Sequence, residues 1–104
     1  MTLKKWPLAN EKLEYTYRLA RVYDDLQQDD KALAKYKETI QTGSTSTAYF
    51  AARAALQAAY IYEKRNQKKQ ALECFQKVLD LDDHDFKNSL DQRAKAGINR
   101  IKGE

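Results

Sequence analysis

The sequence has 104 residues, of which 42% are hydrophobic and 33% are charged. A chain of this size can form one soluble globular domain without a metal, and its single cysteine excludes an internal disulfide. The formal charge of +4 is spread along the chain among acidic residues, which is not typical of a nucleic-acid surface. No apolar run approaches the roughly 18 residues of a membrane span, and the start lacks a secretory signal, so a cytoplasmic location is favoured.

Hydrophobic periodicity and helix-breaking residues predict an all-α fold of five helices without strands. The predicted helices run from about Asn10 to Gln27, Asp30 to Thr42, Thr45 to Arg65, Lys68 to Leu81 and Phe86 to Lys102. Gly43 is expected to end the second helix. We therefore predict a single domain over 1–104, made of a helical hairpin at 9–43, a second at 44–84 and a capping helix at 85–102.

The third predicted helix is apolar around most of its circumference. Only a narrow polar window interrupts it, at Arg53, Gln57 and Lys64. A helix of this kind is buried among its neighbours, and its many alanines allow those neighbours to approach closely. The second and fourth helices carry one apolar stripe each, which predicts outer helices with one side in water.

Residues of the two hairpins recur at a shift of 39 positions, from Ala32 to Ala71. The matching pairs are Ala20 and Ala59, Tyr23 and Tyr62, Ala32 and Ala71, Tyr36 and Phe75, and Thr39 and Val78. This pattern resembles the tetratricopeptide repeat family, and "LARVYDDLQQDDKALAKYKETI" and "AAYIYEKRNQKKQALECFQKVLDL" carry most of it. The usual tryptophan position holds Thr16 and Ala55, and the shift exceeds the family's usual spacing of about 34 residues.

The resemblance implies an α-α superhelix of stacked hairpins and a non-catalytic role in protein–protein interaction or scaffolding. It also suggests the C-terminal end of a longer repeat protein, because the last helix has a polar outer side. In this family the first helix of each repeat, helix A, lines a concave groove that holds a partner segment. The groove residues implied here are Tyr17, Arg21, Asp24, Arg53, Leu56, Gln57, Tyr60, Lys64 and Lys95, with Asn99 beyond them. The family's terminal-carboxylate clamp is not predicted, since Tyr17 and Arg21 replace its lysine and asparagine.

The first helix offers a second candidate surface. Leu26 is expected to face the second and third helices, whereas Tyr15, Leu19 and Val22 lie on a flank that those helices would not fully cover. Trp6 and its apolar neighbours, a missing upstream repeat or a second copy of the chain are the candidate covers. A homodimer through the first helix is therefore the alternative function. Weak nucleic-acid binding, which depends only on the modest positive charge, is a lesser one.

No catalytic or metal-binding motif is found, so the chain is predicted not to be an enzyme and no cofactor is implied. The only histidine, His84, lies in "LDDHD" and is interpreted as an exposed turn residue beside capping aspartates. Cys74 lies next to the core residue Phe75 and is interpreted as an inert thiol. The adjacent pair Asp29 and Asp30 cannot share a helix face, which indicates solubility and capping.

Overall fold

The computed structural model describes residues 9–43, 48–81 and 87–103. They form α1 (Ala9–Asp25), α2 (Asp29–Gly43), α3 (Ala48–Lys64), α4 (Lys68–Asp80) and α5 (Lys87–Lys102). Within these three ranges only helices and short turns occur, so the prediction of an all-α fold is confirmed. The predicted helix starts at Thr45 and Phe86 lie outside the described residues.

The helices stack in chain order, each packing on the next. In addition α1 contacts α3 and α3 contacts α5, whereas α2 and α4 do not contact each other in the part of the chain that is described. The first helices of the successive units, α1, α3 and α5, are therefore closer together than the second helices. This difference bends the stack toward the surface that α1, α3 and α5 form, which we call the A-helix face.

Both hairpin turns have the same backbone geometry at the predicted shift of 39 residues. Gln27 and Asn66 adopt left-handed φ angles of 61° and 62°. In each turn the next N–H donates to the carbonyl of a tyrosine five residues earlier, from Gln28 to Tyr23 at 2.9 Å and from Gln67 to Tyr62 at 2.8 Å. This bond satisfies a carbonyl at the helix end that has no partner within the helix. The repeat is thus present in the backbone as well as in the side chains.

The core runs along α3. Ala55, Ala59 and Tyr62 are buried, which confirms the predicted position of this helix among its neighbours. Alanine side chains let α2 and α4 approach α3 closely, and the larger residues Tyr36 and Phe75 fill the remaining space beside them without any exposure. Burial of such a side chain stabilises the fold by about 1.5–3 kcal/mol.

The helix α5 covers the apolar side of α4. A Cβ atom at Gly97 would lie 2.3 Å from the Phe75 ring, so only glycine permits this contact. Leu90, Ala94 and Ile101 are also buried. Lys95, on the other side of α5, is exposed, as expected of a terminal helix.

The helix α2 ends at Gly43, where the sequence predicted its end. One expectation about α1 was wrong. Leu26 was expected to face α2 and α3, but 60% of its surface is exposed. The reason is that Leu26 follows Val22 by four residues, and its N–H donates to the Val22 carbonyl at 3.0 Å, so Leu26 lies on the same exposed flank as Tyr15 and Val22.

Candidate functional site

Arg53 lies near the centre of the A-helix face and is held by two tyrosines. Its guanidinium carbon is 5.1 Å from the centroid of the Tyr17 ring and 5.3 Å from that of the Tyr49 ring. Its Nη1 also donates a hydrogen bond to the Tyr49 hydroxyl at 2.9 Å. Cation–π attraction and this bond fix the half-buried side chain in one orientation, so a ligand that binds it need not order it first.

A pocket of about 220 Å³ opens between α3 and α5 beside this arginine. It is lined by Tyr49, Arg53, Ser89, Leu90 and Arg93. Two guanidinium groups and two hydroxyls can together bind an acidic or hydrogen-bonding side chain, while Leu90 offers apolar contact. Tyr49, Ser89 and Arg93 were not predicted from the sequence as binding residues. The available signal was helical spacing, since Tyr49 precedes Arg53 by one turn and Ser89 precedes Arg93 by one turn.

Two of the residues implied for the groove are core residues instead. Tyr17 is only 4% exposed and Leu56 only 1%. The Tyr17 ring packs against Tyr36, with centroids 6.1 Å apart, and against Phe50, with centroids 5.9 Å apart. Tyr17 and Leu56 occupy equivalent positions 39 residues apart, so the repeated geometry buries both. They support the A-helix face from below, and the implied role of lining it is wrong for these two side chains.

Arg21 and Tyr17 form a polar spot beneath the same face. The Tyr17 hydroxyl lies close enough to Arg21 to raise the pKa of the guanidinium. Yet the Tyr17 hydroxyl and Arg21 Nε, both shielded from solvent, make no hydrogen bond of good geometry within the described residues. Such buried atoms are uncommon and cost about 1–3 kcal/mol each. A polar group of a ligand that reached them would recover part of this free energy.

Two other implied groove residues are engaged within the chain. The Asp24 carboxylate accepts a hydrogen bond from the Tyr36 hydroxyl at 2.8 Å. Lys64 Nζ lies 3.3 Å from Asp29 Oδ1, while Arg65 Nη1 lies 3.1 Å from Asp30 Oδ1. Asp29 and Asp30 therefore link the start of α2 to the end of α3. Sequence reasoning did not assign this role to them.

The remaining groove candidates extend along α3 and α5. Gln57 and Tyr60 are half-buried on α3, and the Tyr60 ring meets the edge of the Phe75 ring with centroids 5.8 Å apart. Lys95 and Asn99 are exposed on α5. These side chains are accessible, but they lie outside the lining of the Arg53 pocket.

The flank of α1 carries exposed apolar side chains. Tyr15 is 68% exposed and Val22 is 51% exposed, whereas Leu19 is half-buried. The exposed Leu26 extends this row, and we call Tyr15, Leu19, Val22 and Leu26 the α1 stripe. Trp6, a predicted neighbour of this flank, lies outside the described residues.

Reactive groups are few in the described ranges. Burial raises the pKa of the Cys74 thiol to about 11, which leaves almost no thiolate at neutral pH. His84 lies outside the described residues. Among the residues that are described, no three His, Cys, Asp or Glu side chains are grouped to hold a metal ion, and no helix has the length and apolarity to cross a membrane.

Two family models match the chain, and both describe the tetratricopeptide repeat. One matches residues 15–42, within the α1–α2 hairpin, and the other matches residues 52–85, which begin in α3 and include α4. Together the two matches cover more than half of the chain. No curated protein and no solved structure matches it.

Proposed function

Since this chain belongs to the tetratricopeptide repeat family, we propose that its A-helix face binds a segment of a partner protein. Repeats of this family are generally protein–protein interaction modules and typically have no catalytic role. The observation that supports the proposal most directly is the fixed Arg53 at the mouth of the pocket that also contains Arg93. We assign 9–43 and 44–84 to the two repeats and 85–102 to the capping helix.

The chemistry of the pocket favours a segment with an acidic side chain. A carboxylate between Arg53 and Arg93 would accept charge-assisted hydrogen bonds, which are about twice as strong as those between neutral groups. The rest of the segment would lie over Gln57 and Tyr60 on α3, whereas Lys95 lies on the other side of α5. The partner is therefore an extended or helical protein segment with an acidic residue near its centre.

Selection from a random peptide library displayed on phage tests this proposal. Peptides recovered on the purified chain should be enriched in aspartate and glutamate. In fluorescence polarisation, Arg53→Ala should weaken the binding of a recovered peptide by about tenfold or more, because a lost charge-assisted hydrogen bond costs about 1.5–3 kcal/mol. Tyr60→Ala should weaken it to a smaller extent.

Lys69→Ala provides the matched control, since Lys69 is exposed on α4, away from the A-helix face. This change removes one positive charge, as Arg53→Ala does, and should leave the affinity unchanged. Circular dichroism should show that all variants keep their helical content. Equal affinities of the wild type and Arg53→Ala would contradict binding at this pocket.

Self-association through α1 is a second candidate function. It is favoured by one observation, the exposure of three large apolar residues, Tyr15 and Val22 on this helix and Leu26 directly after it. Large apolar residues grouped on one side of a helix are typical of interaction surfaces.

A further inference from the structure

The α1 stripe has the spacing of a helix–helix contact. Its members Tyr15, Leu19, Val22 and Leu26 follow each other at intervals of four, three and four residues. This alternation of three and four keeps side chains in line along a helix and is the pattern of two helices that pack along their length. In the described part of the chain no element covers Tyr15, Val22 or Leu26.

The internal repeat shows what the same positions do in the second unit. A shift of 39 residues places Tyr15 on Ala54, Leu19 on Ala58 and Val22 on Ile61. These three residues of α3 are buried. The difference arises because α3 packs between α2 and α4, whereas α1 has only α2 among the second helices of the described units. The α1 stripe is thus the side of α1 where a further helix would pack.

The sizes of the side chains indicate which helix fits. At these positions α3 has two alanines, which let α2 approach closely, but α1 has a tyrosine and a leucine. The α1 stripe therefore suits a wider contact in which apolar side chains interlock, as they do between helices with this spacing. Such a contact is self-complementary when the two helices are identical.

We infer that a second copy of this chain covers the α1 stripe, with the two α1 helices antiparallel. The inference rests on the second candidate function above and does not depend on the A-helix face. In this arrangement Leu19 of one copy lies opposite Val22 of the other, and Tyr15 lies opposite Leu26. Two-fold symmetry repeats each pair, so all four residues of each stripe become covered.

Charges beside the stripe agree with the antiparallel orientation. Arg18 directly precedes Leu19 and pairs with Glu14 of its own helix, and 75% of its side chain is exposed. Asp25 follows Val22 by three residues and is also exposed. With Leu19 opposite Val22, Arg18 of each copy faces Asp25 of the other, which gives two opposite-charge pairs across the dimer. A parallel pair would instead place Arg18 near Tyr23, which has no charge.

The far end of the stack does not offer an alternative partner surface for the stripe. The outer side of α5 presents exposed polar residues, including Gln92, Lys95 and Asn99. Head-to-tail stacking of α1 on α5 would bury these groups against apolar side chains without hydrogen-bond partners, which is unfavourable. Pairing of stripe with stripe avoids this cost.

Sedimentation equilibrium of the full chain over a range of concentrations tests the inference. The expected mass is twice the 12.1 kDa of one chain. Val22→Glu places a charge in the interface and should raise the dissociation constant by about a hundredfold, because an unpaired charge would be buried there. Ala34→Glu is the matched control, since it adds the same charge at an exposed position of α2 and should leave the dimer unchanged.

A charge exchange tests the orientation. Arg18→Glu and Asp25→Arg should each weaken the dimer several-fold, and the chain that carries both changes should recover the wild-type dissociation constant. Thermal melts followed by circular dichroism should show that every variant remains folded.

The outcomes separate the proposals from one another. A wild-type chain that remains monomeric up to about 1 mM overturns self-association altogether, together with this inference. A dimer that Val22→Glu leaves unchanged preserves self-association but overturns the α1 interface, and failure of the charge exchange to restore the dimer overturns the antiparallel orientation. Peptide binding at Arg53 should be the same in the Val22→Glu monomer, so the proposal for the A-helix face stands or fails separately.

Discussion

Tyr36 and Phe75 fill the same buried position in the two units, but the polar groups around them differ. Burial raises the pKa of Tyr36, and its protonated hydroxyl donates to Asp24. Phe75 has no hydroxyl, and Glu63, the equivalent of Asp24, accepts two hydrogen bonds from Arg100 of α5 at 2.9 and 2.8 Å. The repeat therefore preserves the shape of the core at this position, while the acidic residue changes its partner.

The contact between Gly97 and Phe75 gives a first prediction. Gly97→Ala should lower the free energy of unfolding by about 1–3 kcal/mol, because the added methyl group overlaps the Phe75 ring. Urea unfolding followed by circular dichroism measures the change. Asn99→Ala, at an exposed position of α5, is the control and should be nearly neutral. A Gly97→Ala chain as stable as the wild type would show that α5 does not press on Phe75.

The raised pKa of Cys74 predicts a slow reaction with iodoacetamide. At pH 8 the thiolate fraction of a group with a pKa near 11 is about a hundredth of that of a thiol at the ordinary value of 9.0. We expect the alkylation rate, measured by mass spectrometry, to fall by about the same factor relative to the chain unfolded in denaturant. Equal rates in the folded and unfolded chains would contradict the burial of this thiol.

At the scale of the helices, periodicity predicted where the elements lie but did not place all of their ends. The apolar pattern of α3 fixed its position, because a helix that is apolar nearly all round must be surrounded by others. The end of α1 was predicted two residues too late, at Gln27, which adopts the left-handed conformation of the turn. Glutamine does not favour this conformation, so the residue type does not indicate a left-handed turn at this position.

The link between α3 and α5 gives a prediction about pH. The Arg100 guanidinium lowers the pKa of Glu63, so the ion pair contributes stability above the ordinary carboxyl pKa of 4.5 and loses it as the pH falls through the lowered value. Glu63→Gln should therefore be less stable than the wild type at pH 7. The difference should be only about 0.5 kcal/mol, because Arg100 is half-exposed and solvent screens the pair.

Chemical unfolding of both chains between pH 2 and pH 7 measures this difference. The unfolding free energies of the wild type and the Glu63→Gln chain should become more similar as the pH falls toward 2. Glu38→Gln is a suitable control, because Glu38 pairs with Lys35 of its own helix at 3.2 Å and does not join two helices. A wild-type advantage that grows as the pH falls would contradict the assigned sign.

At the scale of the whole molecule, α3 holds the stack together, because it contacts all four other helices. A perturbation of α3 should therefore weaken both hairpins at once. Ala59→Leu should lower the free energy of unfolding by about 1–3 kcal/mol, since Ala59 is fully buried and its site has no room for the larger side chain.

Circular dichroism and tyrosine fluorescence should report the same unfolding midpoint for the Ala59→Leu chain, as they should for the wild type. Ala34→Leu, at an exposed position, is the control and should leave the midpoint nearly unchanged. Two separate transitions would show that the hairpins unfold independently and that α3 does not couple them.

The repeated core follows from the residue pattern alone. Small and aromatic residues recur 39 positions apart, and their spacing decides which side of each helix is apolar and must pack. It also indicated the uncovered flank at Tyr15 and Val22, because a helical period shows which residues lie away from the neighbours of α1.

The residue pattern does not show which side chains of the A-helix face reach solvent, because this depends on how the helices pack. Tyr17 and Arg53 both lay on the groove side implied by the resemblance, yet the first is buried and the second stands over its ring. The pocket with Arg93 likewise depends on how α5 packs beside α3. The exposure of a side chain on this face depends on the distance to the neighbouring helix. The period of a single helix carries no information about that distance.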